Sequence, residues 1–323
     1  MEPTIVIIEG DSGDVLKNID RKYQFVYMDP PYDTGRVFNI STKDATGFSD
    51  SFHGDEYLEM LETVVSQARR VLHPTGVLCL HISAEKSFEA ELVLTRHFKD
   101  INKIFWKRCH GKNTVKNKLG AVIDIIFECC NGSRKFNLIH VPLGDTVWAF
   151  KNKDDVGNYS LGAVKHDRTR KGYDYAIEHE GVKYETKHGW KINETEMRKL
   201  IDENRIHFAV KTKTLYRKIY EHEHKGKPLS NLWDDVHSIT RSTKDPRMYP
   251  TQKPVKLLQR LVALYTDEGD WVLDPVAGSG TTGRACRTLN RNATLIDKNP
   301  DACEIMRRCL ELGDHSEDEA FLL

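Results

Sequence analysis

Along the first hundred positions, blocks with a strand-like apolar pattern alternate with blocks that have a helical apolar pattern. Short apolar runs rich in β-branched and aromatic residues predict strands at residues 4–9, 23–28, 77–82 and 101–106. Apolar residues at helical spacing predict helices at residues 56–72 and 85–98. Such alternation indicates an α/β fold with a mainly parallel, doubly wound sheet that is covered on both faces.

The same alternation returns at the C-terminal end of the chain. The pattern predicts strands at residues 271–273 and 293–296, and helices at residues 254–265, 281–289 and 301–311. Pro254 falls in the first turn of its helix, where a proline costs no hydrogen bond. The two ends of the chain therefore predict strands and helices of one sheet domain.

The middle of the chain has a different composition, with many Gly, Lys, Tyr and His residues and few clear helical or strand periods. Here the pattern predicts a strand at 122–129, a helix at 194–203 and strand-like pieces at 204–220 and 229–239. We predict an insert at 107–248 that divides the sheet domain into 1–106 and 249–313, with an acidic tail at 314–323. Residues 33–54 predict a mobile loop.

Charge is unevenly distributed although the net charge is zero. Residues 1–102 carry −7, residues 103–254 carry +11 and residues 255–323 carry −4. A basic middle between acidic ends is typical of a nucleic-acid-binding region inserted into a domain that need not touch phosphates. Uneven surface charge without a ligand is the alternative, and charge alone does not separate the two.

Several classes of protein are excluded by composition. No run of about 18 apolar residues indicates a membrane span, and Met1–Thr4 does not resemble a signal peptide, so we expect a cytoplasmic protein. Seven cysteines without a C-x-x-C pair argue against a disulfide framework and a zinc site. His222 and His224 flank Glu223, but a solvated face is the favoured interpretation, and we expect no metal.

A glycine-rich turn is predicted between the strand at 271–273 and the following helix. The residues are Asp274-Pro275-Val276-Ala277-Gly278-Ser279-Gly280-Thr281-Thr282. Glycines permit a sharp turn and close approach of a ligand, and Asp297 ends the next strand, where a carboxylate suits ribose hydroxyls. Because the third glycine of the dinucleotide pattern is missing, a nucleoside without a pyrophosphate fits better than NAD.

A second motif, Asp29-Pro30-Pro31-Tyr32, follows the strand at 23–28 directly. Two prolines cannot continue a central strand, so Asp29 lies at a carboxyl end, where open α/β sheets bind ligands. The Asp29 carboxylate and the Pro30 carbonyl can each accept one N–H of an exocyclic amine on a base, and Pro31 fixes the direction of that carbonyl. Tyr32 can stack on an extruded base.

Both motifs together resemble those of the DNA methyltransferases that methylate exocyclic amino groups, in the β-class order of catalytic motif, recognition region and cofactor motif. The chain is also similar to the methylating subunits of restriction-modification systems. The resemblance implies S-adenosyl-L-methionine as cofactor and a doubly wound methyltransferase sheet with an inserted DNA-recognition domain. It covers nearly the whole chain and departs at Val276, where Phe is frequent, and at Asp33, where Asn is frequent.

The resemblance also assigns roles to single residues. Catalysis falls to Asp29, Pro30, Pro31 and Tyr32. Cofactor binding falls to Asp11 near the adenine, to Thr251 and Lys253 of Thr-Gln-Lys-Pro near the methionine end, and to Asp274, Pro275, Ala277, Gly278, Ser279, Gly280, Thr281, Thr282 and Asp297. Candidates for phosphate contacts are Lys107, Arg108, Lys112, Lys116, Lys118, Lys165, Arg168, Arg170 and Lys171, and candidates for base or sugar contacts are Tyr173, Tyr175, Tyr184 and Trp190. For any single one of them, a solvated or core side chain is the favoured interpretation.

Several functions remain open at this stage. Aspartate in the first catalytic position favours adenine N6 methylation of double-stranded DNA, with cytosine N4 methylation as the alternative. A catalytically silent DNA-binding regulator on the same fold, and methylation of RNA or of a protein glutamine, are further alternatives. The resemblance allows a homodimer and a cognate restriction endonuclease as partners.

Overall fold

The computed structural model describes residues 2–32, 36–38, 48–50, 55–111, 117, 119–141, 150–167, 170–239 and 249–311, with backbone alone for 36–38, 48–50 and 311. The chain divides into two compact units. The sheet unit comprises Met1–Ile139 and Leu229–Leu323, and the insert unit comprises His140–Pro228. Among the described residues no helix is long and apolar enough to cross a membrane.

The strands are β1 (Ile5–Glu9), β2 (Tyr23–Met28), β3 (Arg36–Phe38), β4 (Phe48–Asp50), β5 (Leu72–Ser83), β6 (Asp100–Lys107), β7 (Ile123–Cys130), β8 (His140–Val141), β9 (Asn152–Lys153), β10 (Asn158–Ala163), β11 (Ile177–His179), β12 (Val182–Tyr184), β13 (Ile206–Ala209), β14 (Thr214–Tyr220), β15 (Lys227–Pro228), β16 (Leu232–Trp233), β17 (Trp271–Asp274) and β18 (Asn292–Asp297). The helices are α1 (Ser12–Lys17), α2 (Glu56–Val71), α3 (Ser87–His97), α4 (Glu194–Asp202), α5 (Val255–Tyr265), α6 (Thr281–Thr288) and α7 (Pro300–Glu311), with 3₁₀ turns at Ala84–Lys86, Val210–Thr212 and Glu221–Glu223.

One eight-stranded sheet organises the sheet unit, in the order β1-β18-β17-β2-β5-β7-β6-β16. Only β7 runs antiparallel to its neighbours in this sheet, β5 and β6. The other pairings are parallel, so the carboxyl ends of the remaining strands share one edge. The prediction of a mainly parallel sheet is confirmed.

Residues of the central strands alternate between two hydrophobic cores. Phe25 and Tyr27 of β2 pack in one core with α5, α6 and α7, whereas Val26 and Met28 pack in the other with α1, α2 and α3. A parallel sheet buries both faces, and this explains why its strands read as continuous apolar runs. The cysteines are all free, and all but Cys109 are buried.

Two local predictions need correction. Residues 74–76, which precede the strand predicted at 77–82, lie inside β5, where the register shifts from Tyr23↔Leu72 to Phe25↔Val77. The strand therefore bulges at these residues instead of starting after them. Within the predicted loop at 33–54, β3 and β4 form an antiparallel pair, and residues 33–35, 39–47 and 51–54 lie outside the described residues.

The insert unit has its own small core. Strand β14 pairs antiparallel with β10 and β13, and β9 extends the sheet beside β10. The core residues are Val164, Ile177, Tyr184, Trp190, Met197, Leu200, Ile206 and Leu215. Tyr184 and Trp190, two of the candidates for contacts with DNA, are each 1% exposed, because they fill this core, as the favoured interpretation for single residues allows.

The compact insert at 140–228 is shorter than the range of 107–248 expected from sequence. Strand β7 pairs within the main sheet, and β16 adds to its edge beside β6. The insert unit contains 18 Lys and Arg and 14 Asp and Glu, a net charge of +4, whereas residues 103–139 of the sheet unit carry 8 and 2, or +6. Much of the basic character therefore belongs to the sheet unit.

Candidate active site

The strand order places a crevice between the carboxyl ends of β17 and β2. These neighbours pair at Val272↔Phe25 and Leu273↔Val26. From β17 the chain continues through α6 to β18 on one side, and from β2 it continues through α2 to β5 on the other. Open α/β sheets bind ligands at such a reversal of strand order, and both sequence motifs begin here.

Asp29 emerges from β2 with both of its carboxylate oxygens engaged. The Tyr32 hydroxyl donates to Oδ1 at 2.7 Å, and the Lys253 ammonium donates to Oδ2. The Asp29 and Lys253 side chains are 16% and 12% exposed. Lys253 Nζ also lies 5.3 Å from the centroid of the Tyr32 ring. Burial, followed by the Asp29 charge, raises the pKa of the Tyr32 phenol well above its usual value, so the hydroxyl stays a donor.

A buried polar layer that sequence reasoning missed lies beside Tyr32. The Tyr27 hydroxyl is 2.8 Å from His81 Nδ1, and His81 Nε2 is 3.5 Å from Asp124 Oδ2. Arg108 Nε reaches the other Asp124 oxygen at 3.2 Å. Burial acts to raise the pKa of Asp124, but His81 and Arg108 outweigh it and lower that pKa. No local pattern marks this layer, because its members come from four separate segments.

The glycine turn after β17 has the left-handed backbone that only glycine adopts cheaply. Gly278 has φ +51° and Gly280 has φ +75°. A Cβ on Gly280 would lie 2.9 Å from Met306 Cγ of α7, so the turn also permits close packing of that helix. A Cβ on Gly278 would meet the ring of Tyr249 at 3.5 Å, so this buried tyrosine lies against the turn. Tyr249 was not among the predicted site residues.

Three strand ends are joined at the glycine turn by hydrogen bonds. The amide of Gly278 donates to Asp297 Oδ2 at 2.9 Å, and the amide of Gly10 donates to the Asp297 carbonyl at 3.0 Å. Ala277 N donates to Ile296 O at 2.9 Å, and the Ser12 hydroxyl donates to the Pro275 carbonyl. The turn is therefore held rigidly against β18 and β1.

Buried carboxyl groups accumulate at this crevice. Asp274 accepts hydrogen bonds from Val276 N at 3.1 Å and from the Thr282 hydroxyl at 2.5 Å. Burial, together with the charges of Asp29 and Asp297, raises the pKa of Asp274 to about 7. Burial also raises the pKa of Asp297, against hydrogen bonds from the Asn299 and Gly278 amides. Such a cluster of acids favours a cationic ligand.

The remaining predicted site residues differ in their exposure and in their hydrogen-bond partners. The exposed Asp11 caps α1 by accepting from Gly13 N at 2.9 Å and from Asp14 N at 3.4 Å. The Thr281 hydroxyl donates to the Lys253 carbonyl at 3.3 Å and lies 2.9 Å from the Ser279 hydroxyl, while Thr251 is exposed. Of the predicted phosphate-binding residues, Lys112, Lys116, Lys118 and Arg168 lie outside the described residues.

Comparison with known proteins identifies relatives among DNA methyltransferases. A family model described as DNA methylase, of the N6/N4 methyltransferases, matches residues 23–308. The chain is 26% identical to the type II methyltransferase M.EcaI of Enterobacter cloacae, over 91% of this chain and 66% of that protein. It is 25% identical to the Mod subunit of the type III restriction-modification enzyme StyLTI of Salmonella typhimurium, over 88% and 50%. It thus spans one half to two thirds of these relatives.

Two further similarities bear on length and fold. The DNA adenine methyltransferase YhdJ of Escherichia coli K12 is 24% identical over 96% of this chain and 83% of that protein. The solved structure of the PvuII DNA methyltransferase, titled cytosine-N4-specific, has a TM-score of 0.54 at 12% identity, over 98% of this chain and 90% of that one. The latter likeness confirms the predicted fold class. The chain therefore belongs to the N6/N4 DNA methylase family, whose methyl donor is S-adenosylmethionine.

Proposed function

We propose that this chain transfers a methyl group from S-adenosylmethionine to the N6 amine of an adenine that is flipped out of duplex DNA. The observation that carries this proposal is the place of Asp29-Pro30-Pro31-Tyr32 at the carboxyl end of β2, beside the glycine turn after β17. Acceptors for an amine and a turn for a nucleoside therefore share one crevice. Aspartate in the first motif position and the similarity to YhdJ favour adenine.

The crevice fits the cofactor by charge and by shape. S-adenosylmethionine carries a sulfonium and an ammonium, which suit the buried Asp274 and the partly buried Asp29 and Asp297. The left-handed glycines leave the turn without side chains that would block a ribose. Lys253 supplies a cation for the methionine carboxylate, and Asp297 supplies acceptors for ribose hydroxyls. When bound, the cofactor supplies an electrophilic methyl group.

The protein's own groups orient the target amine. Asp29 and the Pro30 carbonyl each accept one N–H, so that the nitrogen lone pair faces the methyl donor, and Tyr32 stacks on the extruded base. Because the phenol of Tyr32 stays protonated, it keeps donating to Asp29.

DNA binding is assigned to both units. The insert unit reads the recognition sequence, and exposed Lys165, Arg170 and Lys171 supply phosphate contacts. In the sheet unit, Lys107 ends β6 and Arg108 follows it, and the carboxyl end of this strand lies on the same sheet edge as Asp29. A homodimer and a cognate restriction endonuclease stay predictions, motivated by the restriction-modification relatives.

Nucleoside analysis of methylated DNA tests the proposal. DNA from a methylation-deficient host that expresses the protein is digested and analysed by mass spectrometry, and we expect N6-methyladenine. N4-methylcytosine instead would support the alternative that the PvuII likeness favours, and absence of both would refute the proposal. Methylation-sensitive sequencing of the same DNA gives the recognition site.

Substitution of the proposed catalytic carboxylate is the second test. We expect Asp29→Ala to lower the rate of transfer by at least about 100-fold, because the amine loses a charged acceptor. Cofactor binding, measured by calorimetry, should persist. Turnover retained by Asp29→Ala would contradict the role of this residue.

A further inference from the structure

The Lys253 side chain lies where the proposed function places the target base. Its ammonium binds Asp29 Oδ2, which would otherwise be open to an N–H of the target amine. It also lies over the Tyr32 ring, with Nζ 5.3 Å from the centroid, where a base would stack. The other Asp29 oxygen accepts from the Tyr32 hydroxyl at 2.7 Å. A base amine therefore competes with the Lys253 ammonium for Oδ2 and for the space beside the Tyr32 ring.

The main chain of Lys253 is tied to the proposed cofactor site. Its carbonyl accepts from the hydroxyl of Thr281, the first residue of α6, at 3.3 Å. That hydroxyl is in turn 2.9 Å from the hydroxyl of Ser279 in the glycine turn. Lys253 thus connects the two motifs. Its carbonyl binds Thr281 in the cofactor motif, and its ammonium binds Asp29 in the catalytic motif.

A nearly buried ammonium requires an anion close by. The Lys253 side chain is only 12% exposed, and removal of the partner of such a charge is costly. Lys253 can release Asp29 cheaply only if a second anion takes its place. The carboxylate of the methionine end of S-adenosylmethionine is such an anion. The cationic sulfonium and ammonium of the same molecule would compensate the negative charge of Asp29 after Lys253 has left it.

We infer that Lys253 is a positioning residue that binds Asp29 until a cofactor carboxylate is bound and then transfers its ammonium to that carboxylate, so that the cofactor favours capture of the base. This inference rests on the proposed function. It makes cofactor and base binding mutually reinforcing, because each ligand favours the state in which Lys253 has left Asp29. It also lowers the affinity of the base pocket for an amine until the methyl donor is bound.

Two adenosine thioethers test the inference on the unaltered protein. The probe is a duplex that contains the recognition site, with 2-aminopurine next to the target adenine, and its fluorescence reports extrusion of that adenine, which keeps its amine. S-adenosylhomocysteine carries the carboxylate, whereas 5′-methylthioadenosine lacks it. At saturating ligand, we expect S-adenosylhomocysteine to tighten capture of the target adenine by at least about tenfold and methylthioadenosine to leave it nearly unchanged. An equal effect of the two ligands, or none of either, would overturn the inference.

A substitution gives an independent test. With the same probe, we expect Lys253→Met to capture the target adenine without any ligand as well as the unaltered protein does with S-adenosylhomocysteine. The control is Lys256→Met, which removes a charge from the same segment at a residue that acts on Asp235, and it should retain the dependence on ligand. Thermal unfolding of both variants verifies that they fold. A ligand dependence in Lys253→Met equal to that of the control would overturn the inference.

The inference and the proposed function fail in distinguishable ways. Absence of methylated bases in the nucleoside analysis refutes the proposed function. Methylated DNA combined with ligand-independent capture by the unaltered protein refutes only the transfer of Lys253 between two carboxylates.

Discussion

Asp274 illustrates how a single residue serves the site at a cost in stability. Its side chain is 2% exposed, and its carboxylate holds the turn by accepting from Val276 N and the Thr282 hydroxyl. Because burial raises its pKa to about 7 from 3.8, the folded protein favours the protonated acid.

We therefore predict that stability falls as pH rises toward neutrality. The group binds its proton more tightly when folded, so its contribution is complete below about pH 4 and is lost as pH rises through about 7. The difference is on the order of 4 kcal/mol in the free energy of unfolding. Urea unfolding between pH 4 and 8 should show this slope in the unaltered protein and a smaller one in Asp274→Asn. The exposed Glu268→Gln is the control, and an unchanged slope in Asp274→Asn would contradict the assignment.

At the scale of the element, the glycine turn between β17 and α6 combines backbone conformation with packing. Gly280 has φ +75°, and a Cβ there would lie 2.9 Å from Met306 Cγ and 3.2 Å from Met306 Cβ. Gly269, in the turn before β17, has a similar φ of +82°, but no heavy atom lies within 4 Å of its Cβ position. Substitution of Gly269 and of Gly280 therefore separates the free-energy cost of a left-handed residue from the free-energy cost of overpacking.

We expect Gly269→Ala to destabilise the protein by about 1–2 kcal/mol, the cost of a left-handed alanine. Gly280→Ala should cost about 1–3 kcal/mol more, because its methyl group displaces α7. Chemical denaturation measures both, and calorimetry should show weakened cofactor binding for Gly280→Ala alone. Equal effects of the two substitutions would show that packing against Met306 is unimportant.

At the scale of the whole molecule, the chain forms two units, each with its own core. The two large cores consist of residues of the sheet unit, and the small core consists of residues of the insert unit. Within the sheet unit, Leu229 N donates to Ile139 O at 2.9 Å. The chain therefore leaves and re-enters the sheet unit at adjacent points, as in a domain that tolerates an insertion.

Replacement of residues 140–228 by a short Gly-Ser linker tests this organisation. We expect the shortened protein to fold and to bind S-adenosylmethionine with an affinity within about twofold of the full chain, because the proposed cofactor residues keep their contacts. Sequence-specific DNA binding, measured by fluorescence anisotropy, should be lost. Specific methylation of the original site by the shortened protein would exclude the insert unit as the recognition element.

Local sequence patterns were sufficient for most elements and for both motifs. Strand β2 has the predicted bounds, because an apolar run that ends in two prolines has few other structures. The α/β class follows because segments with a helical period alternate with strand-like segments, and each period is visible within its own segment. In contrast, the predicted insert at 107–248 differs from the compact unit at 140–228. A short apolar run such as β7 does not specify which sheet it joins.

The sequence by itself determined the elements, the fold class and the residue types of the site, because these depend on neighbours along the chain. Only the tertiary structure placed Lys253 on Asp29, Tyr249 against Gly278 and His81 beside Asp124. These contacts join residues far apart in sequence, and they arise from the order of strands in the sheet. Strand order is decided by the packing of whole elements, and that information lies in no single segment.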